Sequence, residues 1–417
     1  MATPSVRLFG LAALLIPLAT HLDAGVTAAR GRETLENLEF RATRNPVDCT
    51  TWNRIAEARL RLLASTGDLA NLNLAARAVD QSLKAAPPES NTAALALRVR
   101  VELASHRFKE ARSSAELLCS IRPHNADALA LLGDACFNLG DYADCEQAWR
   151  EMAALDNTVL TIEPRLAQLD LLYGRNTEAR ERYCKVLDAA RGSEREAPDA
   201  VAWANVQLGQ LAFAAGDWDA AGQYYESALS VQPAYYSAIE HKAELLGAQG
   251  GLESTIALYT ELIKRSSRPE AMQALGDLYQ FFGKPDEAAP WHAKALAAYL
   301  NSAEKGEPIY FHNLASLCCD SLNDPARALV WARRDLATRR SINACDSMAW
   351  VLYKTGSFDE ARDAVERCLG FNTRDPHILY HAGIILLGAG EIPAGKLRLQ
   401  ETVLVNPRYH TFHVHRG

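Results

Sequence analysis

Several short patterns that announce common chemistries are missing from this sequence. It has no G-x-S-x-G, no H-E-x-x-H, no P-loop and no G-x-G-x-x-G. That excludes a nucleophile elbow, a helical zinc-protease site and a phosphate cradle of those types. The nine cysteines include no C-x-x-C, which excludes thioredoxin-like, zinc-ribbon and c-type haem motifs. Basic residues are outnumbered, 44 Lys and Arg against 51 Asp and Glu, for a net charge of −7. With no Lys/Arg run to offset this, nucleic-acid binding is not expected. Runs of β-branched residues are scarce. No spacing places a nucleophile beside a base, so the chain is expected not to be an enzyme, and no cofactor or metal set is read from it.

What is present is alanine in quantity, 48% apolar and 23% charged residues over 417 positions. This is a folded, helix-favouring chain, too long for one ordinary core. The N-terminus, MATPSVRLFGLAALLIPLATHLDAGVTAA, differs in kind. Arg7 precedes an apolar run, Leu8 to Ala19, and small residues follow, with cleavage sites after Ala24 or Ala28. Residues 1–28 read as a secretory signal, so a secreted or periplasmic location is expected. The run is shorter than the roughly 20 residues that span a bilayer, so membrane attachment follows only if it stays uncleaved. The alternative is a cytoplasmic protein whose N-terminus is no signal. The odd number of cysteines favours that alternative, because free thiols sit poorly in an oxidising compartment.

The remainder repeats. Written as 34 positions from Ala202, one unit has Leu208 at position 7, Gly209 at 8, Gly216 at 15, Ala221 at 20, Tyr225 at 24, Ala228 at 27 and Pro233 at 32. Ala243, Gly250 and Tyr259 follow at the same positions, then Gly276, Gly283, Ala288 and Ala295, then Ala349, Gly356, Ala361 and Cys368. Upstream, Gly133, Gly140, Cys145 and Trp149 fill the same slots. Small residues at 8 and 20 let two helices touch. Glycine at 15 ends the first helix in a left-handed cap, and proline near 32 stops the second. Nine or ten units are counted. The copy from Pro308 slips by one residue near SLNDPARA, and the first copy, near Trp52, is lengthened around STGDLANLNLA.

This periodicity resembles the tetratricopeptide repeat family over about residues 52–407. The resemblance implies an all-α, right-handed superhelical solenoid of helix-turn-helix repeats, since each pair buries its apolar face only on its neighbours. The expected organisation is a signal at 1–28, a spacer or short capping helix at 29–50, and repeats over 51–188. A polar linker at 189–200, repeats over 201–407 and a tail at 408–417 follow. The family also implies a concave groove lined by first-helix positions 2, 5, 9 and 12. Here these include Trp203, Gln210, Phe213, Glu240, Glu244, Glu270, Gln273 and Asp277, then His312, Asp346, Trp350, Tyr353, His377 and Tyr380. An acidic middle passes into an aromatic, histidine-bearing stretch, which suits a protein or peptide partner of basic or aromatic character. The Lys/Asn/Arg clamp that some members use for acidic C-terminal peptides is absent from these positions.

The expected function is therefore a non-enzymatic interaction scaffold or adaptor, exported, with a partner segment in the groove. The alternatives are an accessory subunit docking a catalytic partner in envelope polysaccharide or lipid handling, and a cytosolic adaptor. Self-association is expected through the solenoid ends, with Ile384 to Leu387 the suspected surface. Cys136, Cys145, Cys318 and Cys368 occupy packed repeat positions and read as buried thiols. His410, His413 and His415 form the only cluster of histidines local in sequence.

Overall fold

The computed structural model describes residues 34–156, 158–192, 198–266 and 268–409. The expected signal segment and the three tail histidines lie outside the described residues. The described chain is helical throughout. After α1 (Leu35–Arg44) come the pairs α2 (Cys49–Thr66) and α3 (Ala70–Ala85), α4 (Thr92–Ala104) and α5 (Phe108–Ile121), and α6 (Ala126–Leu139) and α7 (Tyr142–Leu155). Next are α8 (Val159–Leu172) and α9 (Asn176–Gly192), α10 (Pro198–Ala214) and α11 (Trp218–Val231), α12 (Tyr236–Ala248) and α13 (Leu252–Ser266), and α14 (Pro269–Phe281) and α15 (Pro285–Glu304). The last three pairs are α16 (Phe311–Ser316) and α17 (Pro325–Thr338), α18 (Ile342–Lys354) and α19 (Phe358–Leu369), and α20 (Pro376–Gly388) and α21 (Ile392–Val405). The 29–50 segment thus holds α1. Helix takes up both ends of the expected polar linker, leaving only residues 193–197, which lie outside the described residues.

Local chemistry places these boundaries. Asn125, Asp217, Asp324 and Asp375 cap their helices by accepting from backbone N–H groups two or three residues on. Gly140 ends α6 at φ 88° and Gly390 follows α20 at φ 86°, a region that costs any residue with a Cβ about 1 kcal/mol or more. Pro123, Pro233 and Pro407 stand two residues beyond the ends of α5, α11 and α21. The position-8 glycines are steric requirements. A Cβ at Gly133 would run into Trp149, at Gly209 into Tyr225, and at Gly276 into His292. Their partners at position 20, Ala221 and Ala288, are buried, as are Tyr183, Tyr225 and Tyr259. The one-residue slip near SLNDPARA appears as a π turn, Leu317–Ser321, which continues α16 and takes in the extra residue.

The described residues divide into two compact units, with the boundary between Ile162 and Glu163, inside α8. The first unit has its core between α4, α5 and α6, where Leu95, Val99, Leu103, Phe108, Leu118, Leu131 and Leu139 meet over the small Ala111, Ala115, Ala128 and Ala135. Arg112 on α5 ties this core to the α6–α7 turn, bonding Asp141 at 2.7 Å and Asp144 at 2.9 Å.

The second unit, from Glu163, stacks its helix pairs in order. Its central core joins Phe213, Tyr225, Ile239, Leu245, Tyr259, Leu262, Leu275 and Leu278 from three successive hairpins. The unit also closes on itself. The α8–α9 turn meets the loop after α19, where Tyr173 and Phe371 have ring centroids 6.4 Å apart and Gly174 lies against the Asn372 carbonyl. The α10–α11 turn meets the end of α21. There Asn406 Nδ2 donates to the Phe213 carbonyl at 3.4 Å, and Arg408 lies over the Trp218 ring at 5.0 Å.

Candidate functional site

The first helices of the second unit carry all fourteen positions expected to line a groove. Nine of them, Trp203, Phe213, Glu240, Glu270, Gln273, Asp277, Asp346, Trp350 and His377, are buried. Gln210, Glu244, His312, Tyr353 and Tyr380 are half-buried. Trp203 and Phe213 pack in apolar surroundings, and the polar members find partners on their own and neighbouring helices. Gln210 on α10 touches His241 on α12, whose Nδ1 lies 3.2 Å from Glu244. Tyr236 donates to Glu240 at 3.2 Å, and Arg268, before α14, stacks over the Tyr236 ring at 4.8 Å while pairing with Glu270. Tyr299 donates to Gln273 at 3.0 Å. Asp277 accepts from Ser321 at 2.9 Å and lies 2.8 Å from His292 Nε2. The π turn then aims Asp320 at α18, where Trp350 donates to it at 3.0 Å and Lys354 lies 3.6 Å away. Asp346 on α18 completes the series, 3.0 Å from His381 Nδ1 on α20.

Buried charge of this kind moves protonation equilibria. Burial raises the Glu240 carboxyl. Arg268 and His241 oppose the shift and Glu270 adds to it. Asp335, on α17, goes the other way. Burial alone would raise it, yet Arg339, which bonds both its oxygens at 3.0 and 3.2 Å, and His312, 3.4 Å away, together hold it well below the usual carboxylate range. His312 therefore faces a buried carboxylate on its own hairpin.

At the C-terminal end the aromatics gather. Trp350 stacks on Tyr353 with centroids 5.4 Å apart and lies nearly flat on His381 at 4.2 Å and 7°. Tyr380 and Tyr409 are 5.4 Å apart. Among the described residues, Asp346, His377 and His381 form the one His/Cys/Asp/Glu trio close enough to share a metal ion. The sequence reading missed this set because it looked for histidines adjacent along the chain. The available signal was the i, i+4 spacing of His377 and His381 on one helix.

Two further expectations are placed by the structure. Cys136, Cys145, Cys318 and Cys368 are buried and outside any disulfide, and burial pushes the Cys136 and Cys318 thiols up to about 11. The Ile384–Leu387 stretch is not an exposed end, because Ile385 and Leu386 are buried. The apolar residues that do reach the surface there are Ile392, Leu397, Val403 and Leu404 on α21. Among the described residues no helix is long and apolar enough to cross a membrane.

Two family models match the chain, both described as tetratricopeptide repeat, over residues 204–235 and 271–305. No curated protein matches. The chain is similar to solved structures that include the APC/C hetero-tetramer Cut9–Hcn1, with 14% identity over 92% of each chain and a TM-score of 0.37. It is also similar to Pseudomonas aeruginosa PilF, with 18% identity over 51% of this chain and 94% of that one and a TM-score of 0.38. A human IFIT1 dimer with PPP-AAAA matches with 14% identity over 88% and 85% and a TM-score of 0.46.

Proposed function

We propose that the chain, two segments of which match tetratricopeptide repeat models, works as an exported protein-interaction scaffold with its partner held on the first helices of the second unit. The reading is carried by one observation. The first helices keep four polar and aromatic side chains only half-buried, Gln210 and Glu244, which share His241, and Tyr353 and Tyr380 farther along the unit. A carboxylate with an amide neighbour and a pair of tyrosines suit a partner segment with basic and aromatic residues. Export rests on the N-terminal pattern of Arg7, the Leu8–Ala19 run and the small residues after it. Self-association through the exposed α21 residues belongs to the same reading: Leu404→Glu should lower the sedimentation mass, and an unchanged mass would overturn it.

The groove is tested with Glu244→Lys and with the double variant Tyr353→Ala/Tyr380→Ala, each checked for native helicity. Proteins cross-linked to the wild-type chain should be lost by at least one variant. An identical set on all three would overturn the site. Export is tested by N-terminal sequencing of the mature chain, which should begin after Ala24 or Ala28.

The cytosolic adaptor is kept as a second reading because none of the nine cysteines is in a disulfide and five are buried, a pattern that suits a reducing compartment. A mature chain that retains residues 1–28 in the soluble cytosolic fraction selects it. The accessory-subunit reading differs only in its partner and would be selected by recovery of a catalytic chain in the same cross-links.

A further inference from the structure

We propose that Asp346, His377 and His381 bind a divalent transition-metal ion of the Zn²⁺ class, which clamps α20 to α18. The three side chains are 5%, 7% and 2% exposed. Each offers one ligand atom, and these atoms lie within 4.8 Å of one another. His381 Nδ1 is 3.0 Å and His377 Nε2 is 4.0 Å from the same carboxylate oxygen, Asp346 Oδ2. Drawing the three atoms onto one ion at bonds of about 2.0–2.2 Å takes movements below about 1 Å.

The surroundings favour coordination over a simple ion pair. A lone carboxylate facing two imidazoles can neutralise only one of them if both are protonated, and the two rings are 4.0 Å apart. If both are neutral, a single hydrogen bond, from His381, reaches Asp346 Oδ2, while Asp346 Oδ1 is buried with no partner. Leaving a buried carboxylate oxygen without a partner is costly. A divalent ion bound through Oδ2 neutralises the carboxylate, uses both imidazoles unprotonated and removes the repulsion between them.

The His377 ring is also held as a ligand needs to be, while His381 Nε2 is buried with no hydrogen-bond partner. His377 Nδ1 meets the Tyr409 hydroxyl at 3.0 Å, which turns Nε2 toward Asp346. A metal-bound histidine is usually oriented in this way, through its other ring nitrogen. His381 is fixed by its stacking on Trp350. Two imidazoles and a carboxylate suit Zn²⁺, Co²⁺ or Ni²⁺ better than Mg²⁺ or Ca²⁺, which prefer all-oxygen sets. A water would complete a tetrahedron. The ion would thus lock the last hairpin through Tyr409, close to the Asn406–Arg408 contact that closes the unit.

The experiment uses the full chain with His410→Ala, His413→Ala and His415→Ala, so that those imidazoles contribute nothing. Zinc chloride is titrated by calorimetry, and cobalt chloride is followed by its visible ligand-field bands. One ion per chain, a tetrahedral Co²⁺ spectrum and a Zn²⁺-dependent rise in Tm are expected. Asp346→Asn and His377→Gln should each weaken binding by at least about ten-fold and abolish the Tm rise. Asp346→Asn keeps shape and His377→Gln keeps a polar group that can hydrogen-bond, and native helicity by circular dichroism shows that they fold. The proposal is overturned if the parent binds no stoichiometric Zn²⁺, or if binding survives in both variants.

Discussion

Two buried carboxylates of the second unit respond to pH in opposite senses. Asp335 has its folded pKa held below the unfolded value of about 3.9 by Arg339 and His312. The stability this confers is present above that value and is lost as pH falls toward the folded one. Asp335→Asn should therefore cost about 3–5 kcal/mol at neutral pH, and its stability should fall less than the wild type's as pH drops below about 4. Glu240 has its folded pKa raised, by burial first. It holds its proton more tightly folded than unfolded, so its contribution is present below about 4.3 and is lost as pH rises through the folded value. Glu240→Gln keeps an acceptor for Tyr236 and leaves Arg268 paired with Glu270. It should be at least as stable as the wild type at pH 7, with the difference vanishing below about pH 4. Thermal melts across pH 3–7 check both. Equal slopes for either variant and the wild type would refute the corresponding assignment.

At the scale of the helix pair, the contact of position 8 with the second helix sets how closely two helices approach. Gly209 and Tyr225 are the clearest instance, because even one methyl group on Gly209 would enter the tyrosine ring. Gly209→Ala should lower stability by about 1–3 kcal/mol. Tyr225→Ala alone should cost about 3–5 kcal/mol, but the double variant should cost clearly less than the sum, since the ring that clashes is gone. Denaturant melts of the four proteins decide it, and strict additivity would rule out the contact. This level of structure was legible in the sequence, because small residues, caps and prolines recur at a fixed stride and each is a local requirement. Even the slip near SLNDPARA had its counterpart, in the π turn. The fate of the groove residues was not legible. Glu240, Asp277 and Asp346 are acidic positions on a helix surface, and nothing local says that the next first helix brings Arg268, Ser321 or His381 against them. Burial there depends on neighbours 28 to 44 residues away, and the trio with His377 is assembled by the same stacking.

At the scale of the whole second unit, the stride predicts a row of hairpins but is silent on where the row ends up. The small rotation between successive hairpins accumulates, and over the pairs from α8 to α21 it brings the last turns back to the first. Asn406, Arg408 and Phe371 carry no periodic signal, so their meeting with Phe213, Trp218 and Tyr173 could not be read in advance. These contacts are few and polar or aromatic, and the segments they join are turns, so each should open more readily than the helix cores. Asn406→Ala/Arg408→Ala removes the amide bond to Phe213 and the guanidinium over Trp218. Amide exchange over residues 215–218 should then accelerate, with a change in Trp218 emission. Exchange in α13, whose Tyr259 and Leu262 lie in the central core, should stay as in the wild type. Unchanged exchange at 215–218 would mean that the unit does not close there in solution. Faster exchange throughout would mean instead that closure supports every hairpin, so that a partner reaching Tyr353 and Tyr380 would act on the unit as a whole.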